Sequence, residues 1–284
     1  VKPIRVALSG SGFRLGAHIG ALQAIEDAGY TVIELAGTSG GSIVASLYAS
    51  GVPLDVMRQM LMEVDWSRMM RFSPWTLLRQ QALCSGEALR EYLTGVTGGK
   101  TFAELDIDLK VIATDLLSER EFQFSRTTTP DVPVALAARA SASIPIVFAP
   151  VAMAGGLFVD GGMCDNMPVS DLTVDDMPRV GIFLESDDSP LLPGSYGIAT
   201  LAPRMIDVML ASNEDTHFAL DRLTGATFVR VPTGYASSFD RRMALATRQR
   251  LYDDGYESTK TSLALMSNSD QSASPPETLK AGMV

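Results

Sequence analysis

The sequence predicts an α/β fold: a central, mostly parallel sheet flanked by helices, with a sharp turn between one strand and the next helix. Two observations predict the sheet and a third the turn. Short apolar runs alternate with segments of helical period from residue 4 onward, and the links between them are short and carry glycine. That strand–helix–strand–helix order requires parallel pairing, because each parallel neighbour needs a crossover and the helices supply it. The run at residues 31–36 passes straight through Gly37-Thr38-Ser39-Gly40-Gly41 into a helix of small residues.

Residues 4–8 form the first strand, and Ser9-Gly10-Ser11-Gly12 turns it into a helix over about 14–28, where Ile19, Leu22 and Ile25 recur at helical spacing. Gly29 ends that helix, 31–36 is the second strand, and the helix over 42–50 stops at Gly51. Residues 54–83 differ in kind. They hold Met57, Met60, Met62, Met69 and Met70 with both tryptophans, Trp66 and Trp75, and read as a helical pair packed on the core. Strands follow at 109–114 and 121–125, then a helix at 133–142, strands at 147–151 and 156–159, and a strand at 179–184. Long helices over 201–222 and 241–266 enclose a strand at 227–231, and the Ser-, Pro- and Lys-bearing stretch 267–284 is expected to be a disordered tail. With no repeat and no evident linker, one domain is predicted over 1–266, its motif core at 4–184 and a helical C-terminal part at 199–266.

Of the 284 residues, 46% are hydrophobic and 20% charged, an ordinary globular balance. The formal charge of −10 argues against nucleic acid as a partner, since no run of Lys and Arg is present to neutralise phosphates. No apolar stretch reaches the ~20 residues of a spanning helix, and the opening residues lead into a strand rather than a signal peptide, so a soluble cytoplasmic protein is expected. Cys84 and Cys164 lie far apart, without the spacing of a disulfide framework or a zinc site, and read as buried free thiols.

Ser39 stands in the pattern G-x-S-x-G, between Gly37 and Gly41, with a strand before it and a helix after it. Glycines relieve crowding at such a turn, and the helix directs its positive end at the site. A serine that only caps the helix is the bland alternative. A Ser-His-acid triad needs a histidine, and only His18 and His217 exist. His18 lies in the first helix and His217 in a later helical stretch, where packing or solvent is the plain expectation for each. Asp160 follows the apolar Leu157-Phe158-Val159 and precedes Gly161-Gly162, which sets a carboxylate at a strand end. In reach of Ser39 it can act directly as general base; alone, the tripeptide is an ordinary D-G turn. The backbone N–H groups of Gly10, Ser11 and Gly12 are candidates for an oxyanion hole. Nucleotide binding by this loop is disfavoured, because it lacks a G-K-[ST] ending and Leu15 breaks G-x-G-x-x-G.

Four segments together, 8–20 (LSGSGFRLGAHIG), 37–51 (GTSGGSIVASLYASG), 140–150 (ASASIPIVFAP) and 158–168 (FVDGGMCDNMP), resemble the patatin-like phospholipase family, its bacterial members in particular. The resemblance spans about the first two-thirds of the chain. It implies a patatin fold, a Ser-Asp dyad of Ser39 and Asp160, an oxyanion hole at Gly10 to Gly12, no metal or cofactor, and hydrolysis of phospholipid or related esters; peripheral membrane contact is a separate expectation. It places Arg14 in the family's basic position, to bind a head group or to hold the loop, with a plain ion pair as the alternative. Ser11 and Leu15 replace family glycines, and Leu15 is expected to narrow or reshape the acyl pocket. The stretch 54–83 is the expected pocket wall or interfacial lid, with Arg58, Arg68, Arg71 and Arg79 nearby facing anionic head groups. Two other functions remain open: a thioesterase or small-ester hydrolase with the same dyad, and an effector whose lipase activity is switched on by a nucleotide or protein partner through residues 186–284.

Overall fold

The computed structural model describes residues 2–186 apart from 73 and 81, then 194, 196, 197, 204, 221 and 223–272; at residue 80 and over 267–272 it describes the backbone alone. The helix expected over 201–222, His217 included, falls outside the described residues except at 204 and 221, as does the expected tail beyond 272.

Strand β1 (Lys2–Leu8) leads to helix α1 (Leu15–Asp27), β2 (Tyr30–Thr38) and α2 (Gly40–Ala49). Next come α3 (Leu54–Glu63), a 3-10 turn at Trp66–Met69, α4 (Pro74–Gln80) and α5 (Glu87–Thr97). Strands β3 (Asp108–Asp115) and β4 (Arg120–Ser125), helix α6 (Val134–Ser141), and β5 (Val151–Met153) and β6 (Gly156–Asp160) follow. The described chain closes with β7 (Arg179–Glu185), β8 (Thr227–Pro232) and α7 (Leu245–Ser272).

The pairs β1–β2, β2–β3, β1–β7 and β7–β8 are parallel, while β4, β5 and β6 add an antiparallel margin. This is the mixed, mainly parallel α/β sheet that the sequence predicts.

One detail of register positions the site. Along one edge of β3, residues 110–115 pair with β4. β2 and β6 therefore share the other edge: Thr38 lies opposite Ile112, and Asp160 lies opposite Ala113. Two strands that run toward each other thus end at adjacent residues of β3.

The larger core joins the sheet to the helices, with Ile4, Val6 and Leu8 of β1 at its centre. The alternate residue Ala7 points to a smaller cluster with Met167, Val169 and Leu172, as the two-residue period of a strand requires. Helix α7 packs closely along α1: a Cβ on Gly255 would lie 2.0 Å from the Ala17 carbonyl oxygen, so nothing larger than glycine fits there. Arg248 of α7 is buried and donates through Nη1 to the carbonyls of Leu61 and Val64 at 2.9 Å each, which satisfies orphan acceptors at the end of α3.

Three elements differ from expectation. Residues 147–151 do not form a strand: Pro145 and Pro150 supply no ladder donors, Ile146 has a φ of +71°, and a turn closes from Val147 N–H to Ile144 O. Strand β5 begins only at Val151. Helix α5 was not expected; its buried Leu89 and Leu93 sit between Gly86 and Gly98, both in left-handed conformation. Helix α7 runs to Ser272, past the position where the tail was expected to begin.

Candidate active site

At the end of β2 the chain turns through Ser39, whose φ of +51° and ψ of −123° are strained for a residue with a side chain. The conformation is held from several sides. The Ser39 N–H donates to Ser141 Oγ at 2.8 Å, and Ser141 Oγ in turn donates to the Ile112 carbonyl. The Ser39 carbonyl accepts from the Ser42 hydroxyl at 2.6 Å and from the Ile43 N–H at 3.2 Å.

The Ser39 hydroxyl donates to Asp160 Oδ2 at 2.7 Å, and both residues are buried. The other carboxylate oxygen, Oδ1, accepts the Gly162 N–H at 2.9 Å. The Asp160 N–H donates to Ser143 O, and its carbonyl accepts from Thr114 Oγ1. Complete burial pushes the Asp160 carboxyl up to about 6, against the opposing pull of its bonds from Ser39 and Gly162. Such a group is ionised at neutral pH yet basic enough to take a proton.

The loop expected to bind an oxyanion lies across from Ser39, and its three N–H groups are not equivalent. That of Gly10 donates to Asn166 O at 3.0 Å. Those of Ser11 and Gly12 donate to no acceptor among the described residues. Gly12 has a φ of +55°, and a Cβ there would meet the Ser238 carbonyl oxygen at 2.2 Å. Arg14 is buried beneath the loop and holds it: its guanidinium donates to Ser11 O at 3.2 Å, to Thr233 Oγ1 at 2.8 Å and to Ser186 Oγ at 3.1 Å.

His18 is fully buried, and its Nε2 lies 2.8 Å from Ser9 O. Burial holds the ring at about 4, so it is neutral and Nε2 is the donor. The Ser39 hydroxyl is bonded to the carboxylate, not to this imidazole. Cys84 is a buried free thiol as expected, whereas Cys164 is only half-buried.

An apolar slot opens over Ser39, walled by Leu15, Ile43, Trp66, Met69, Met70 and Phe148 among others. Leu15 and, from the Met- and Trp-bearing stretch, Trp66, Met69 and Met70 line this slot. Met57 does not line the slot and packs in the core cluster, to which Leu15 and Trp66 also belong. The free volume is about 50 Å³, against the roughly 300–1,000 Å³ of pockets that hold small molecules.

Ser141, Ser143 and Asn166 lie within the motif segments, where nothing local marks them for a task. Their contacts join segments distant in the chain, and no local pattern announces such contacts. The fully buried Arg139 belongs with them; it donates to Ser143 Oγ, to Ser85 O and to Ala149 O, and so braces the carbonyl that receives the Asp160 N–H. Among the described residues, Glu121, Asp165 and Asp171 place ligand oxygens within 4.8 Å of one another. Asp165 accepts from the Met167 N–H and from Ser170 Oγ.

A serine on a strained strand-to-helix turn is the elbow geometry found in α/β hydrolytic proteins, and here its hydroxyl is bonded to a buried carboxylate. Comparison with known proteins narrows the class. The family model described as patatin-like phospholipase matches residues 6–173, and the chain belongs to that family. The family so described is one of lipid hydrolases.

An uncharacterised protein of Acanthamoeba polyphaga mimivirus is 31% identical over 204 residues, covering 66% of this chain and 68% of its own length. An uncharacterised NTE family protein of Mycobacterium tuberculosis is 30% identical over 167 residues, or 59% of this chain and 44% of its own length. Among solved structures, VipD from Legionella pneumophila has a TM-score of 0.62 at 16% identity, with 92% of this chain and 66% of VipD covered. The type III effector ExoU of Pseudomonas aeruginosa has a TM-score of 0.55 at 15% identity, with 93% of this chain and 53% of ExoU covered. The chain therefore spans about half the length of ExoU and less than half that of the mycobacterial relative. The two structures agree in fold. Among the described residues, no helix is long and apolar enough to cross a membrane.

Proposed function

We propose that the chain hydrolyses lipid acyl esters of the phospholipase A or lysophospholipase type, with Ser39 as nucleophile and Asp160 as general base. The observation that carries this reading is the 2.7 Å bond from Ser39 Oγ to Asp160 Oδ2 at the floor of an apolar slot. Ser39 Oγ attacks the ester carbonyl carbon while its proton passes to Asp160. The oxyanion is received by the N–H groups of Ser11 and Gly12, near the positive end of α2. Collapse breaks the bond to the alcohol, which leaves with the proton that Asp160 returns. Asp160 then takes a proton from water as the water attacks the acyl-enzyme, and Ser39 is regenerated as the fatty acid departs.

The narrowness of the slot supports a second reading, a thioesterase or small-ester hydrolase with the same dyad. A long chain enters only if Met69 and Met70 shift, which unbranched thioethers do readily. Activation by a nucleotide or protein partner, the remaining expectation, concerns residues 186–284, which are described only in part.

The test compares the parent protein with Ser39→Ala and Asp160→Asn, on mixed phospholipid vesicles and on a soluble short-chain ester. The lipase reading expects fatty acid release by the parent alone. Cleavage of short esters without lipid hydrolysis selects the second reading. Equal activity in all three proteins sinks the dyad.

A further inference from the structure

Helix α4 and its flanks present large apolar side chains to water. Phe72 and Trp75 are each 62% exposed and Leu78 is 76% exposed. Single exposed apolar residues are ordinary, but a contiguous group marks an interaction surface.

The base of this excursion is fixed to the slot. Phe72 forms a bridge with Cys84, and Cys84 forms one with Phe148. The Leu83 N–H donates to Ile146 O at 2.8 Å, and the Cys84 N–H donates to Val147 O at 2.9 Å. Ile146 is itself 58% exposed, and the two residues after it, Val147 and Phe148, line the slot over Ser39. On the other side Met69 and Met70, also slot walls, lead directly into Phe72. The exposed apolar surface is therefore continuous with the mouth of the slot.

Charge identifies the occupant. On a chain of net charge −10, exposed cations collect here: Arg71 and Arg79 are exposed, and the Arg68 side chain is 82% exposed. Arg68 shares Asp65 at 3.4 Å, and Glu91 lies in the same depression as Arg68 and Arg71. The Arg79 guanidinium lies over the Trp75 ring, 4.5 Å from its centroid, an amphipathic pair with one oily and one charged side. A sheet of anionic phosphates above an apolar layer matches that order of groups.

We propose that α4 and its flanks dock on an anionic phospholipid bilayer, with Phe72, Trp75, Leu78 and Ile146 entering the acyl layer and Arg71 and Arg79 meeting phosphates. Lipid then enters the slot from the membrane. Because Met69 and Met70 are joined to the docking segment, its displacement on docking widens the slot. The proposal rests on the reading of this slot as the acyl site.

Only two tryptophans are present, and Trp66 is buried, so Trp75 reports the surface directly. Phosphatidylcholine vesicles, with or without phosphatidylglycerol and carrying acyl-chain bromines, are added to the parent and to Trp75→Phe. Blue-shifted and quenched emission with the anionic vesicles, absent from Trp75→Phe, is the expected result. Phe72→Ser combined with Leu78→Asp weakens vesicle binding by roughly tenfold or more, with short-ester hydrolysis unchanged. Unaltered Trp75 emission with anionic vesicles overturns the proposal, and so does concentration-dependent burial of Trp75 without lipid, which points to a second copy of the chain.

The two readings fail separately. Vesicle binding without hydrolysis of any ester sinks the hydrolase reading and leaves docking standing. Short-ester hydrolysis without vesicle binding does the reverse. The quenching measurement on the parent needs no folded double variant.

Discussion

Asp160 is the residue where stability and the proposed chemistry oppose each other. Only the ionised carboxylate accepts the Ser39 proton, and burial pushes this carboxyl up to about 6. Short-ester kcat/KM is therefore expected to fall about tenfold per pH unit below that value, seen in a pH–rate profile. The stability effect has the opposite sense. The folded state holds the proton more tightly than the unfolded chain, so this group stabilises most below pH ~4 and its contribution is lost as pH rises through 4 to 6. Asp160→Asn should accordingly be inactive yet more stable at pH 7, by on the order of 1–3 kcal/mol in urea denaturation, with no gain below pH ~4. Ser141 acts through Ser39. Ser141→Ala leaves the buried Ser39 N–H without its acceptor, and kcat is expected to drop about 10- to 100-fold with KM and the pH midpoint unmoved. Ser141→Cys restores part of the loss, which a merely destabilised protein would not show.

At the scale of elements, the meeting of β2 and β6 on one edge of β3 brings the two residues together. The sequence shows each strand end separately, because an apolar run followed by glycine is a local signal. It does not show that Thr38 and Asp160 face Ile112 and Ala113, since pairing joins segments far apart in the chain. The commitment of the Gly10 N–H to Asn166 is hidden for the same reason. Helix α5 escaped because its apolar positions are few among charged ones, and 147–151 misled because an apolar run outweighed two prolines. Leu15 was legible as a departure from the family pattern, and it lies 3% exposed at the start of α1, in the slot wall. Leu15→Gly enlarges the slot, so the ratio of long- to short-chain ester turnover is expected to rise several-fold when a chain-length series is assayed.

For the whole molecule, one main core and the close pairing of α1 with α7 tie the described C-terminal helix to the first crossover of the sheet. Gly255→Val forces these helices apart and is expected to cost roughly 2–4 kcal/mol, measured as a lowered Tm by calorimetry. The chain is acidic overall, yet Arg68, Arg71 and Arg79 are exposed around α4, so vesicle association is expected to weaken as salt is raised. The stretch from Asp160 to Asn166 has a further consequence. Its first residue holds the Ser39 proton acceptor, and its last anchors the loop of Ser11 and Gly12 through Gly10. The proposed proton relay and the proposed charge reception therefore hang on a single short span. A shift of that span is expected to disengage both at once, so variants that displace it should lose ester hydrolysis altogether rather than by degrees.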